Sequence, residues 1–408
     1  MIPKKMQKLS GGTLFIGATF ISQVLNFFFN TYLGRALSLE NYALITVVVN
    51  IWYFILIVLN ALSYVITNKV AYLEKNESVS EVGAFYRFFT RKTIQISCIS
   101  GLIWLAIAPL IIYYFHISSR AAIFMISPLI GVGALMSISR GFLQGRTIFV
   151  TLSISLIVES LIRMLAAIFL VQMDLGHLTY LSIPISLVFT LVFNYVFERK
   201  HVPQSTSEHT FTFPTSLFVA LLLIGLSNTV FLTVDILMVK HYFDDRTAGM
   251  YALLGLVGKV VFFFSSILSG VLFTYASQGK HTDSSFFHRI LLGTAALSTI
   301  AFISFGLLGS FTTSILIGAK AEAIVPYLYT YTAAISLFAV TNTFITYYIA
   351  RGVKKIAFIA LFLAIALIGA ISMYHEDISH IVQSVFAISS IGFVFTLSFH
   401  LYALKKKI

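Results

Sequence analysis

The sequence predicts an all-α integral membrane protein of twelve transmembrane helices in two six-helix lobes, and three observations carry that prediction. The 408 residues are 58% hydrophobic and 10% charged, with a mean hydropathy of +0.94. A soluble globular chain is about one quarter charged. Twelve continuous apolar runs follow one another, each near the roughly 20 residues a helix needs to cross the hydrocarbon core. Landmarks also recur at close to half the chain length. Tyr42-Ala43-Leu44 returns as Tyr251-Ala252-Leu253, Arg140-Gly141 as Arg351-Gly352, and Glu198-Arg199-Lys200 is answered by Lys405-Lys406-Lys407. Membrane β-strands would alternate polar and apolar over about ten residues, whereas these runs are unbroken.

The first run (10–34) follows Lys4, Lys5 and Lys8. With no small-x-small site before the next run, it reads as an uncleaved anchor. The second (41–66) leads into a polar break from Asn68 to Lys92. Within that break, Phe85, Tyr86, Phe88 and Phe89 beside Arg87, Arg91 and Lys92 suit either a short helix in the inner interface or a solvated loop. Runs at 93–115, 120–140, 147–171 and 177–197 complete the first half, with Pro109, Pro128 and Pro184 placed to kink or delimit them. The expected organisation is a lobe over 1–200, a linker over 201–213 and a second lobe over 214–408. That lobe carries runs at 214–240, 249–275, 286–310, 324–350, 353–373 and 379–404, with Pro326 opening the tenth. Phe311 to Glu322 reads as partly re-entrant. Six is an even number, so both halves enter the membrane in the same sense and the repeat is parallel.

The net charge of +12 is a topology signal and not a nucleic-acid footprint. The predicted inner segments hold Lys4, Lys5, Lys8, Lys69, Lys75, Arg87, Arg91, Lys92, Arg140, Arg146, Arg199, Lys200, Lys280, Arg289, Arg351, Lys354, Lys355 and the terminal lysines. The outer connections hold Arg35, Arg120, Lys240, Arg246 and Lys320. This asymmetry places both termini in the cytoplasm, with the protein in the cell (inner) membrane. Short outer connections leave no room for a substantial extracellular domain. The single cysteine, Cys98, excludes a disulfide framework, and the scattered histidines lack metal-ligand spacing. No cofactor or metal is expected.

Polar groups inside the runs are the candidate site, because a charge at mid-membrane costs at least about 2.5–3.5 kcal/mol. Lys259 lies about ten residues into the eighth run, and its counterpart in the first half is Asn50. It either faces an anionic substrate in a watery cavity or pairs structurally with a carboxylate. Glu159 and Arg163, four apart, share one helix face and are placed to pair; an open pair would let Arg163 hold a phosphate. Asp235, the counterpart of Asn26, is a proton carrier, a partner for Lys259, or a plain interfacial aspartate. Ser22, Asn26 and Asn30 form one polar stripe and Asn228 with Asp235 another. Such stripes line water or join helices. Arg35 is a third available cation, or only an interface anchor.

Tyr32-Leu33-Gly34-Arg35-Ala36-Leu37-Ser38-Leu39-Glu40-Asn41-Tyr42-Ala43 resembles the turn after the first span in the multidrug/oligosaccharidyl-lipid/polysaccharide (MOP) exporters, with Ser38 and Ala43 in place of two usual glycines. Arg140-Gly141-Phe142-Leu143-Gln144-Gly145 resembles their turn after the fourth span. Asp235-Ile236-Leu237-Met238-Val239-Lys240-His241-Tyr242 with Ala248-Gly249-Met250-Tyr251-Ala252 resembles the second-lobe start of the polysaccharide (Wzx-like) branch. The resemblance spans essentially the whole chain. It implies two six-helix lobes around a central cavity, as in multidrug (MATE) exporters and MurJ-like flippases. It further implies a non-enzymatic flippase moving an isoprenoid-diphosphate-linked oligosaccharide from the inner to the outer leaflet. Lys259, Arg163 and Arg35 would hold the diphosphate, with Asp235, Asn26, Asn50 and Glu159 around them. Membrane lipids and other polysaccharide-assembly proteins are the implied partners, and H+ or Na+ the coupling ion. A cation-coupled multidrug exporter is the alternative within the superfamily. A peptidoglycan-precursor flippase usually has two further spans. A membrane glycosyltransferase or polymerase would need an aqueous catalytic domain or a large external loop.

Overall fold

The computed structural model describes residues 4–76, 79–203, 211–277, 284–351, 353 and 355–406. Linker residues 204–210, together with Lys280, Gly352, Lys354 and Lys407, lie outside the described residues. Every apolar run is helical, the state that closes backbone hydrogen bonds within one segment in lipid. The order is α1 (Lys4–Ala36), α2 (Leu39–Asn76), α3 (Val79–Tyr114), α4 (Arg120–Phe124), α5 (Ile126–Gly145), α6 (Phe149–Gln172) and α7 (Ser182–Glu198). It continues with α8 (Thr215–Tyr242), α9 (Asp245–Ser277), α10 (Ser284–Phe302), α11 (Gly309–Ile317), α12 (Val325–Ala350), α13 (Lys355–Met373) and α14 (Ile378–Lys406). No strand occurs among the described residues. Ten described helices are long and apolar enough to cross a membrane; Phe358–Met373 is a shorter apolar helix, and the 33-residue α9 fills the eighth run. The chain is a multi-pass membrane protein.

Three local features depart from a plain row of helices. The fourth run breaks at Met125 between α4 and α5, and Pro128 stands in the first turn of α5. The neighbouring α3 closes the break: Trp104 Nε1 donates to the Ile123 carbonyl (2.9 Å), and Ser127 Oγ donates to the Gly101 carbonyl (3.0 Å). The stretch from Phe311 to Glu322 holds the end of the nine-residue α11 and a 3-10 turn, Gly318–Ala323. That helix is too short to cross, and it stops at Gly318, whose φ of +69° favours glycine. The aromatic and basic stretch before the third run is neither an interfacial helix nor a loop. It is the start of the continuous α3, and Val82, Phe85 and Phe89 are buried against Ile138 and Phe142 of α5. Their spacing of three and four places all three on one helical face, which α5 covers.

The residues divide into two compact units, one of Met1–Leu33 with Val48–Leu222, the other of Gly34–Val47 with Leu223–Ile408. Both ends of the expected linker belong to the first unit. Arg146 Nη1 donates to the His201 carbonyl (2.5 Å), Arg87 Nη1 to the Pro203 carbonyl (3.2 Å), and Phe211 meets Phe85 edge-on. The division therefore falls inside α8. In the first unit α5 packs on α3, α6 and α7. Gly141 permits the approach of α2 to α5, since a Cβ there would lie 2.7 Å from the Ser63 carbonyl oxygen. In the second unit α12 packs on α9, α10 and α14. At Gly249, a Cβ would stand 2.0 Å from the Leu39 carbonyl oxygen. Both glycines belong to the motifs that carry the family resemblance.

Candidate functional site

In the first unit, one turn of α6 sets Glu159 beside Arg163, and Arg163 Nη2 donates to Glu159 Oε1 at 2.5 Å. A second arginine reaches the same carboxylate from α5: Arg140 Nη2 donates to Glu159 Oε2. By sequence alone, Arg140 reads as a basic inner-end residue, a repeat landmark and the start of the turn motif after the fourth span, and not as a site residue. The side chains are 25% (Arg140), 13% (Glu159) and 19% (Arg163) exposed. Arg140 Nε is buried and has no hydrogen-bond partner among the described residues. Arg163 spreads its remaining donors over two more helices, to Asn26 Oδ1 of α1 (3.3 Å) and Ser186 Oγ of α7 (3.4 Å). Tyr53 of α2 lies within its electrostatic reach. Asn30 fixes this end of α1 by donating to the Asn26 carbonyl at 2.7 Å, and Ser22 bonds Ser160 of α6 at 2.5 Å. The stripe on α1 thus joins helices and orients Arg163. Asn50 is fully buried on α2, one turn before Tyr53.

Beside this network runs a second polar feature that is not among the expected site residues. Ser182, Ser186, Thr190, Asn194 and Glu198 recur every fourth residue of α7, each at most 3% exposed. The spacing is legible in the sequence; the burial is not. At its end Glu198 accepts hydrogen bonds from Ser139 Oγ of α5 (2.5 Å) and from the Tyr86 hydroxyl of α3. Ser139 and Arg140 are consecutive, so adjacent residues of α5 hold the carboxylates of Glu198 and Glu159.

The second unit holds Asp235, 1% exposed on α8. It accepts from the Tyr251 hydroxyl of α9 (3.0 Å), the Tyr331 hydroxyl of α12 (2.9 Å) and the Ile236 backbone N–H (2.8 Å). Lys259, half-buried two turns after Tyr251, is attracted to this carboxylate. The two tyrosines are not among the expected site residues, although Tyr251 stands inside a repeated landmark.

Arg35 belongs to neither cluster and is exposed in the last turn of α1. There Lys320 Nζ donates to the carbonyls of Gly34 (3.0 Å), Arg35 (3.0 Å) and Leu37, satisfying acceptors that the end of α1 leaves open. Desolvation draws the Lys320 ammonium below the usual lysine range, with Glu40 opposing it. No group of three His, Cys, Asp or Glu able to hold a metal occurs among the described residues.

No protein-family model matches the sequence. No curated protein does either. Solved structures do. A lipid II flippase MurJ in an inward closed conformation is similar with a TM-score of 0.73 and 16% identity, over 96% of this chain and 87% of that one. An inward-facing multidrug resistance MATE family transporter of the MOP superfamily is similar at 0.70 and 11% identity, over 94% and 96%. The MATE multidrug transporter DinF-BH gives 0.67 and 14%, over 98% and 95%. At these identities the likeness shows the fold, and that fold is the one the sequence motifs implied.

Proposed function

Taking that fold as the premise, we propose that the protein is a transporter that moves an isoprenoid-diphosphate-linked oligosaccharide from the inner to the outer leaflet by alternating access. One observation carries the choice of cargo: two guanidiniums share one carboxylate within the apolar helices of the first unit. The contacting groups sum to one surplus positive charge. An uncompensated charge in the membrane is costly, and such residues mark substrate pathways. A diphosphate supplies the missing anion, and guanidinium forks suit phosphate oxygens. The partial exposure of Arg140 and Arg163 leaves them open to such a ligand. No covalent step is involved, so none of these residues acts as a nucleophile.

The multidrug reading rests on Asp235, a buried carboxylate of the kind that would attract a cation. Its balance with Lys259 and its donation from Tyr251 and Tyr331 favour the lipid cargo. The test is reconstitution into vesicles with a lipid-linked oligosaccharide. The expected result is wild-type translocation between leaflets that Arg163→Gln abolishes. Dye efflux with no movement of the lipid would establish the multidrug exporter instead. Growth of glycan chains on lipids already translocated would point to a polymerase.

A further inference from the structure

We propose that the lipid-facing surface of the first unit carries a site for an anionic phospholipid, with one acyl chain seated between α3 and α5 and the phosphate held at Arg91. The inference goes beyond the cargo reading and does not depend on it. A cavity of about 430 Å³ opens between the two helices, a size within the range of ligand sites. It exists because small residues line both walls. Ser97, Cys98 and Gly101 of α3 stand opposite Gly131 of α5, and a Cβ on Gly131 would still lie 3.9 Å from its nearest neighbour, the Ser97 Cβ. Ile94 and Leu102, both exposed, add apolar wall with Leu135. Ser127 commits its hydroxyl to the Gly101 carbonyl at 3.0 Å, so it offers an occupant no free donor.

Medium, length and charge select the occupant. Around the cavity α3 turns exposed apolar residues outward, Ile96, Ile99 and Ile103 among them, as a membrane-spanning helix does. An apolar hollow stays dry, and at this depth the surrounding medium is hydrocarbon. A lipid chain therefore fills it and gains the dispersion contacts that a void forfeits. The α3 wall runs from Ile94 to Leu102, about 12 Å at 1.5 Å of rise per residue. The hydrocarbon of one leaflet is about 15 Å deep, half of the core. An acyl chain matches that length, whereas a long isoprenoid overruns it.

Charge complementarity places the headgroup. Arg91, Ile94, Cys98 and Leu102 follow one another at intervals of three, four and four, so they share one helical stripe. The cavity thus leads along α3 to Arg91, one turn before Ile94. Arg91 is exposed and forms no ion pair among the described residues. Side chains of a helix lean toward its N-terminus, which here is the basic, headgroup end of α3. A guanidinium fork suits phosphate oxygens. Lys92 is exposed at nearly the same depth but about 100° round the helix. Arg87, one turn further along the stripe, donates to the Pro203 carbonyl. The basic end of α3 assigns the site to the inner leaflet.

The test is native mass spectrometry of the full chain in micelles, with phosphatidylglycerol or phosphatidylcholine of the same acyl chains. Wild type should hold phosphatidylglycerol about fivefold more tightly, the scale of one basic residue near a membrane surface. Arg91→Gln should abolish that preference and leave phosphatidylcholine affinity unchanged, while Lys92→Gln should keep it. Cys98→Phe fills the cavity and should weaken both lipids, whereas Cys98→Ser should weaken neither. Arg91 and Cys98 are exposed, so these substitutions leave the fold in place. Cys98 is also the only cysteine of the chain, and phosphatidylglycerol should slow its maleimide labelling more in wild type than in R91Q. Equal loss of preference in R91Q and K92Q would reveal general surface charge and overturns the headgroup site. Unaltered affinity in C98F overturns the seat of the chain. Displacement of phosphatidic acid by an equimolar polyprenyl phosphate, which has the same headgroup, would make the cavity a seat for an isoprenoid tail and overturns the phospholipid assignment.

Discussion

Glu159→Gln removes the carboxylate that two arginines share, and its cost separates a charge-surplus site from an ordinary ion pair. In wild type, Glu159 accepts from Arg163 at 2.5 Å and from Arg140. The amide keeps the size of the side chain but leaves two facing guanidiniums without a counter-charge. Breaking a buried pair by removing one partner costs about 3–5 kcal/mol. The exposures of 13–25% across the three side chains bring this to about 2–3 kcal/mol, because water reaches the groups. Arg140→Met acts in the opposite direction. It removes one positive charge and leaves the Glu159–Arg163 pair intact; the lost hydrogen bond to a charged group is worth about 1.5–3 kcal/mol, and relief of the surplus charge offsets part of it, for a net cost of about 1 kcal/mol. The difference of about 1–2 kcal/mol is about 5–30-fold in an unfolding equilibrium. Denaturant unfolding in micelles reads it, repeated with an isoprenyl diphosphate present. The ligand should restore more of the loss in E159Q than in R140M, since it supplies the anion that E159Q lacks. Equal destabilisation by the two substitutions would refute the surplus, because losing one guanidinium would then cost as much as losing the carboxylate that both share.

Three further outcomes are expected. Lys259→Ala abolishes translocation in vesicles while membrane protein level, read by immunoblot, stays at wild type; Asp235 retains its two tyrosine hydroxyls and the Ile236 N–H. Gly249→Ala sharply lowers the yield of monodisperse protein in size-exclusion chromatography, because its Cβ would meet a backbone oxygen at 2.0 Å, not a side chain able to move. Asp377 accepts from the His380 backbone N–H (2.8 Å), which holds its carboxyl below the usual aspartate range. Because the folded value is depressed, the cap is fully present above the ordinary aspartate pKa of about 3.9 and is lost as pH falls through the lower folded value. Hydrogen exchange at the first turn of α14 should therefore accelerate under strong acid in wild type, and at all pH values in Asp377→Ala.

How far the site was legible follows from the range of the interactions involved. Glu159 and Arg163 could be paired from sequence because one helical turn fixes their distance before anything else folds. Arg140 could not be added, because its approach depends on the register between α5 and α6. The α1 stripe was visible as polarity, but only the positions of α6 and α7 show that it orients Arg163. The linker was visible by composition, yet its flanking residues are fastened to the first unit by Arg87, Arg146 and Phe85, each distant in sequence.

The sequence by itself determined that the chain is helical and membrane-spanning, where its spans lie, and that its halves share landmarks. Lipid leaves a backbone only local hydrogen bonds, so hydropathy along one dimension is sufficient for that. The tertiary structure decided which polar groups meet. It gathered Arg140, Glu159 and Arg163 from two helices, enclosed Glu198 between Ser139 and Tyr86, and set Asp235 against Tyr251 and Tyr331. Those meetings depend on the depth and rotation of one helix against another, which interlocking side chains and close-packed glycines fix only after the helices have formed.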